Sequence, residues 1–104
     1  MVQIIWTDAA IRDLNDIGDY IARDSFRYAG ITIQTLFESA DILVQHPRAG
    51  VITPEFNDDS IRNLVRGDYK IVYKIVNEFR IDIITVHNCA RLVTNTKAIK
   101  KRNK

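Results

Sequence analysis

Cysteine occurs once in these 104 residues, at Cys89. One thiol cannot close an internal disulfide, so a disulfide scaffold is excluded and a reducing compartment is expected. Four glycines and two prolines are too few for a linker-rich or collagen-like chain. No apolar run approaches the roughly 18 residues of a membrane span, so no membrane partner is expected. The opening stretch Met1–Trp6 has neither the basic start nor the long apolar core of a signal peptide, and the expected location is cytoplasmic. A G-x-G-x-x-G turn, a P-loop, a nucleophile elbow and a C-x-x-C pair are all missing, which removes the common nucleotide-binding, acyl-transfer and redox signatures. His87 and Cys89 do not make a zinc site by themselves, and the other histidine, His46, is distant in sequence. No metal and no cofactor are expected, and Cys89 reads as a buried or half-buried thiol.

What is present is ordinary globular composition, 46% apolar and 27% charged, in a length that suits one domain over residues 1–104. The net charge of +2 conceals a polar chain. Residues 1–60 carry four basic side chains against ten acidic ones, and residues 61–104 carry eleven basic against three acidic. A local positive field of this kind raises encounter with phosphates or acidic proteins. It says nothing about fold, and a merely solvated basic face would show the same count.

Val2 to Trp6 is a β-prone run. Thr7 then stands as a helix N-cap with Asp8 in the first turn. Ala10, Leu14, Ile17 and Ile21 form an apolar stripe at helical spacing, with Asp13, Asp16 and Asp19 expected in water. Asp24-Ser25 interrupts the pattern and caps a second helix, expected to run through Leu43-Val44 and to stop at His46-Pro47. Residues 1–46 therefore read as a strand and a helical hairpin. Pro47 to Ser60 reads as a loop. Ile61–Arg66, Tyr69–Val76 and Ile81–His87 read as three strands joined by tight turns, a meander over residues 61–87. Tyr69, Ile71, Tyr73 and Ile75 share a core-like face, against Lys70, Val72, Lys74 and Val76 on the other. The expected architecture is α+β: a helical hairpin on a small antiparallel sheet of three strands, or four if Val2–Trp6 joins an edge. Residues 93–104 form a basic tail.

Arg62, Arg66, Lys70, Lys74, His87 and Arg91 lie on or just after these strands, and alternate side chains on neighbouring strands can share one surface. Cleavage of an RNA phosphodiester needs cations at the phosphate, a base for the 2′-hydroxyl and an acid for the leaving oxygen. Arg62, Arg66, Lys70 and Arg91 are candidates for the first task. His87 and Glu55 are candidates for proton transfer. The same cations would equally serve binding alone, to phosphates or to an acidic protein segment.

The order Trp6-Thr7, Ala10, Asp13-Leu14, Ile17 and Tyr20-Ile21 is followed by His46-Pro47-Arg48-Ala49-Gly50 and Pro54-Glu55. Ile61-Arg62, Leu64-Val65, Gly67, Tyr69 to Ile75 and Val86-His87 with Arg91 complete a string that resembles the RelE/ParE superfamily of bacterial toxins. The likeness covers about residues 2–92. It implies the toxin half of a type II toxin–antitoxin pair, a growth inhibitor associated with plasmid stabilisation and held inactive by a cognate antitoxin. Operator DNA would be reached, in a higher-order complex, through that antitoxin. RelE-like members cleave mRNA on the ribosome, whereas ParE-like members inhibit DNA gyrase by binding. The His46–Gly50 segment and the His87-x-x-x-Arg91 ending are more similar to the ParE branch. Many RelE-like enzymes place a catalytic tyrosine or histidine beyond the last strand's arginine, and here Leu92-Val93-Thr94-Asn95-Thr96 supplies neither. The expected target-binding set is Arg48, Arg62, Arg66, Lys70 and Arg91. The catalytic set, for the nuclease alternative only, is Glu55, Lys70, His87 and Arg91. A relative that binds only its antitoxin or DNA is the third option.

Overall fold

A computed structural model describes residues 2–89 of the chain. Arg91 and the basic tail over residues 93–104, named above, lie outside the described residues. Strand β1 (Gln3–Trp6) leads into helix α1 (Asp8–Ala22), then α2 (Phe26–Ser39) and a one-turn α3 (Ile42–Gln45). A two-residue strand β2 (Val51–Ile52) and a 3-10 turn (Pro54–Phe56) precede the strands β3 (Ile61–Arg66), β4 (Tyr69–Asn77) and β5 (Arg80–Asn88).

Both expected helix caps are in place. Thr7 holds an extended backbone and its hydroxyl accepts from Ala10 N at 3.2 Å, while Ser25 accepts from Tyr28 N at 3.0 Å. Each satisfies an amide that the first helical turn leaves without a partner. Between the helices, the amides of Asp24 and Ser25 both return to Ile21 O, at 3.0 and 2.9 Å, closing the hairpin in three residues. The second helix is shorter than its apolar pattern predicts. Ser39 Oγ donates to Thr35 O at 2.7 Å, and such back-bonding to the carbonyl four residues earlier bends a helix. The chain then tightens, with Asp41 N on Glu38 O and Leu43 N on Ala40 O, both at 3.0 Å. Leu43 stays buried through the break.

The sheet has five strands in the order β1-β5-β4-β3-β2, one or two more than expected. It is mixed, not antiparallel throughout, because β1 runs parallel to β5 with Gln3 opposite Arg80 and Trp6 opposite Ile83. The antiparallel meander β3-β4-β5 is as the sequence predicts. Val51 and Ile52 pair with Asn63 and Arg62, a contact too short to leave any periodicity. Gly67, at φ 60°, takes the left-handed turn position between β3 and β4.

The helices cover one sheet face. Ala10, Leu14, Ile17, Leu36, Ala40 and Leu43 pack on Leu64, Ile71, Tyr73, Ile81, Ile83 and Val86. Tyr69 and Ile75 pack at the margin, so the core-like parity read along β4 holds. Beside β1, Trp6 stacks on Phe37 with ring centroids 5.1 Å apart.

Asp13 departs from expectation. β5 continues past the end of β1, which exposes backbone groups on that edge. Thr7 Oγ1 donates to Ile83 O at 2.7 Å, and the Asp13 carboxylate accepts from Val86 N at 3.0 Å and from Thr85 Oγ1. Asp13 is thus half-buried and docks α1 on the sheet edge, while Asp16 and Asp19 are exposed as expected. Among the described residues, no helix is long and apolar enough to cross a membrane.

Candidate functional site

Strand register divides the basic residues between two faces. On β3, Arg62 lies opposite Tyr73, Leu64 opposite Ile71 and Arg66 opposite Tyr69, so both arginines share the face on which the helices sit. Lys70 lies opposite Val65 and His87, and Lys74 opposite Ile61 and Asp82. These residues occupy the other face. The single cationic surface contemplated from alternation therefore does not form: Arg62 and Arg66 are together, Lys70, Lys74 and His87 are together, and the two groups are separated by the sheet. The signal for this was present, since Arg62, Leu64 and Arg66 alternate with one another and Leu64 is core.

On the helix side, the turn that leaves α3 is bound closely to the sheet. Its own bond is Ala49 N to His46 O at 3.0 Å. The buried hydroxyl of Tyr73 donates to Pro47 O at 2.7 Å and accepts from Gly50 N at 2.9 Å. Gly50 is the residue that permits this. A Cβ there would lie 2.6 Å from Asn63 O and 2.8 Å from both Tyr73 Cε1 and Tyr73 Oη. Arg62 completes the attachment, with Nη1 donating to Gly50 O at 3.0 Å and Arg48 O at 3.4 Å, and Nε to Asp59 O at 3.0 Å. The side chains of His46, Arg48 and Ala49 remain exposed. Burial raises the Tyr73 pKa above its ordinary 10.0, opposed by the Gly50 amide and by the positive charges of Arg62 and Arg48.

Arg66 lies at the other end of β3, half-buried, with Nη1 on Val65 O at 2.8 Å. It borders a cleft between α2 and the β3-β4 turn, whose other walls include Tyr28, Ile31, Thr35, Leu36 and Tyr69.

The proton-transfer candidates lie on different elements. Glu55 is exposed on the Pro54–Phe56 turn, whose flanking Thr53 N bonds Ile61 O at 3.2 Å. Lys70 pairs with Val65 of β3, and His87 pairs with Lys70 on the next strand. Asn57 takes a left-handed conformation (φ 50°) directly after the turn, and Asp58 folds back to accept from Ser60 N at 2.9 Å and Ser60 Oγ at 2.7 Å. These bonds hold the Asp58 carboxyl below its ordinary pKa. Cys89 is half-buried, its amide on Asp68 O at 2.7 Å. Among the described residues, no three His, Cys, Asp or Glu side chains are grouped to hold a metal ion.

Sequence reasoning missed the Tyr73 hydroxyl as the anchor of the 46–50 turn, because it placed Tyr73 only as core. A polar atom at the end of a core side chain, together with a glycine after His46-Pro47, was the available clue.

A family model described as the ParE toxin of the type II toxin–antitoxin system parDE matches residues 4–93. Among solved structures, the chain is similar to one titled "Chromosomal ParDE TA system from P. aeruginosa". The TM-score is 0.68 at 23% identity, over 85% of this chain and 96% of that one. At that identity the likeness speaks for the fold. No curated protein sequence matches the chain.

Proposed function

The chain belongs to the ParE toxin family of type II toxin–antitoxin systems, and we propose that it arrests growth by binding DNA gyrase, with no chemistry of its own. Membership implies a cognate antitoxin. In this reading the exposed 46–50 turn carrying Arg48 forms the contact. The observation that supports a binding mode is the separation of Glu55 from Lys70 and His87. General acid–base catalysis needs its groups in reach of one reacting centre, and Glu55 sits on the Pro54–Phe56 turn, apart from the paired β4 and β5 positions that carry Lys70 and His87.

One feature favours a second reading. Lys70 and His87 are cross-strand neighbours on a sheet face that carries Lys74 as well, an arrangement with which a ribosome-dependent mRNA endonuclease could hold phosphate and move a proton. The two readings part in a purified system. Supercoiling of relaxed plasmid by gyrase is expected to be inhibited by the toxin, restored by its antitoxin, and inhibited far less by Arg48→Glu. Gyrase that supercoils normally at toxin concentrations sufficient for growth arrest would remove the gyrase proposal.

A further inference from the structure

We propose that Arg62 is a positioning residue and not a target contact: with Tyr73 it presets the 46–50 turn so that Arg48 is presented in one place. This rests on the reading that the turn carrying Arg48 meets the target.

The bonding pattern carries the proposal. Arg62 directs its guanidinium at three backbone carbonyls, Gly50 O, Arg48 O and Asp59 O, at 3.0, 3.4 and 3.0 Å. These bonds aim the planar fork inward, along the underside of the turn, and a fork has little freedom to turn elsewhere without losing them. Tyr73 holds the same turn from beneath through Pro47 O and Gly50 N, at 2.7 and 2.9 Å. Four contacts on Pro47, Arg48 and Gly50 are more than a connection between α3 and β2 requires. His46, Arg48 and Ala49 themselves add little to the core, being exposed. Such a preset surface turn loses less conformational entropy on meeting a partner, which is how preorganisation raises affinity. Both arginines are near enough to Tyr73 for their charges to act on its hydroxyl. The preset turn therefore offers Arg48 within a positive field suited to an anionic partner surface.

A double-mutant cycle separates positioning from contact. Growth-arrest potency, as toxin copies per cell at half-arrest, is scored for wild type, Arg48→Ala, Arg62→Ala and the pair. Each single change is expected to weaken potency about tenfold, the factor of one lost charge-assisted contact. The pair should be no weaker than either alone, because Arg62 acts through Arg48. Arg62→Lys should stay as impaired as Arg62→Ala, since an ammonium keeps the charge but not the fork. Urea unfolding of every variant checks that each is folded under the assay conditions. Tyr73→Phe, run in the same cycle, removes no charge and loosens the turn from its other side. It should lower potency by the same route and speed hydrogen exchange at the Gly50 amide by about tenfold.

Losses that multiply in the Arg48/Arg62 pair, or full rescue by Arg62→Lys, would make Arg62 a contact and overturn the proposal. Unchanged potency in Arg48→Ala would overturn it also, by removing the turn from the interface. Because growth arrest is scored, the cycle stands whatever the target is, and inhibition of purified gyrase, measured alongside, tests that reading separately.

Discussion

Tyr73 and Gly50 are bonded across 23 positions of sequence, the phenolic oxygen accepting the glycine amide at 2.9 Å while donating to Pro47 O at 2.7 Å. The tyrosine ring is fully buried in the core, and its hydroxyl reaches the turn where the chain passes from α3 to β2 at the sheet's edge. Core packing and the shape of a surface turn are therefore coupled in a single side chain.

Tyr73→Phe should keep the ring packing and lose both bonds. It leaves an amide and a carbonyl without partners at a buried site, a cost of about 1–3 kcal/mol. Urea unfolding at neutral pH checks this. The hydroxyl's raised pKa gives the effect a pH dependence. A group whose folded pKa lies above its unfolded value contributes stability in full below the unfolded value, here about 10. That contribution is lost as pH rises through the folded value. The stability gap between wild type and Tyr73→Phe should thus be constant below about pH 10 and shrink above it.

Two glycine-to-alanine changes are expected to have opposite signs. At Gly50 a methyl would press within 2.6 Å of a backbone carbonyl, Asn63 O, which cannot yield as a side-chain end can. The expected loss is about 1–3 kcal/mol. At Gly30, inside α2, an added Cβ meets nothing within 4 Å, and the helix should gain about 0.5–1 kcal/mol. Thermal melts of the two variants check both signs together.

Asp13→Ala should cost about 1–3 kcal/mol, because it strips the acceptor from Val86 N at the β5 edge. Asp13→Asn retains an acceptor oxygen and should cost less. Equal losses in urea unfolding would show that the charge, not the acceptor, docks α1.

Much of this fold is legible in the sequence because its signals are local. Thr7 and Ser25 precede helical stripes, Gly67 marks a tight turn, and Tyr69, Ile71, Tyr73 and Ile75 recur at every second position along β4. The parts that escaped depend on long-range pairing. Nothing local to Val2–Trp6 says that it will lie parallel to Arg80–Asn88, and two residues at Val51-Ile52 carry no period. Asp13 reads as a solvent residue until β5 is seen to outrun β1. The candidate site was legible as residue types but not as a surface, since one register decides that Arg62 and Lys70 face opposite ways. The role of Tyr73 needed the close approach of a glycine 23 positions away.

A cationic toxin surface paired with an acidic antitoxin segment should bind less tightly as salt rises. Titration of the toxin with its cognate antitoxin at low and high ionic strength checks this. An affinity indifferent to salt would remove the electrostatic part of antitoxin recognition.

If the toxin acts by binding, the proton-transfer candidates are dispensable. Glu55→Ala and His87→Ala should arrest growth as wild type does, whereas a nuclease using either would lose orders of magnitude in cleavage.

The most direct measurement is mapping of mRNA 5′ ends by primer extension after a brief, tightly controlled induction of this chain. Growth arrest with abundant transcripts left intact is the expected result. New 5′ ends in phase with codons, appearing only within translated regions, would contradict it and make Lys70 and His87 parts of a ribosome-dependent active site.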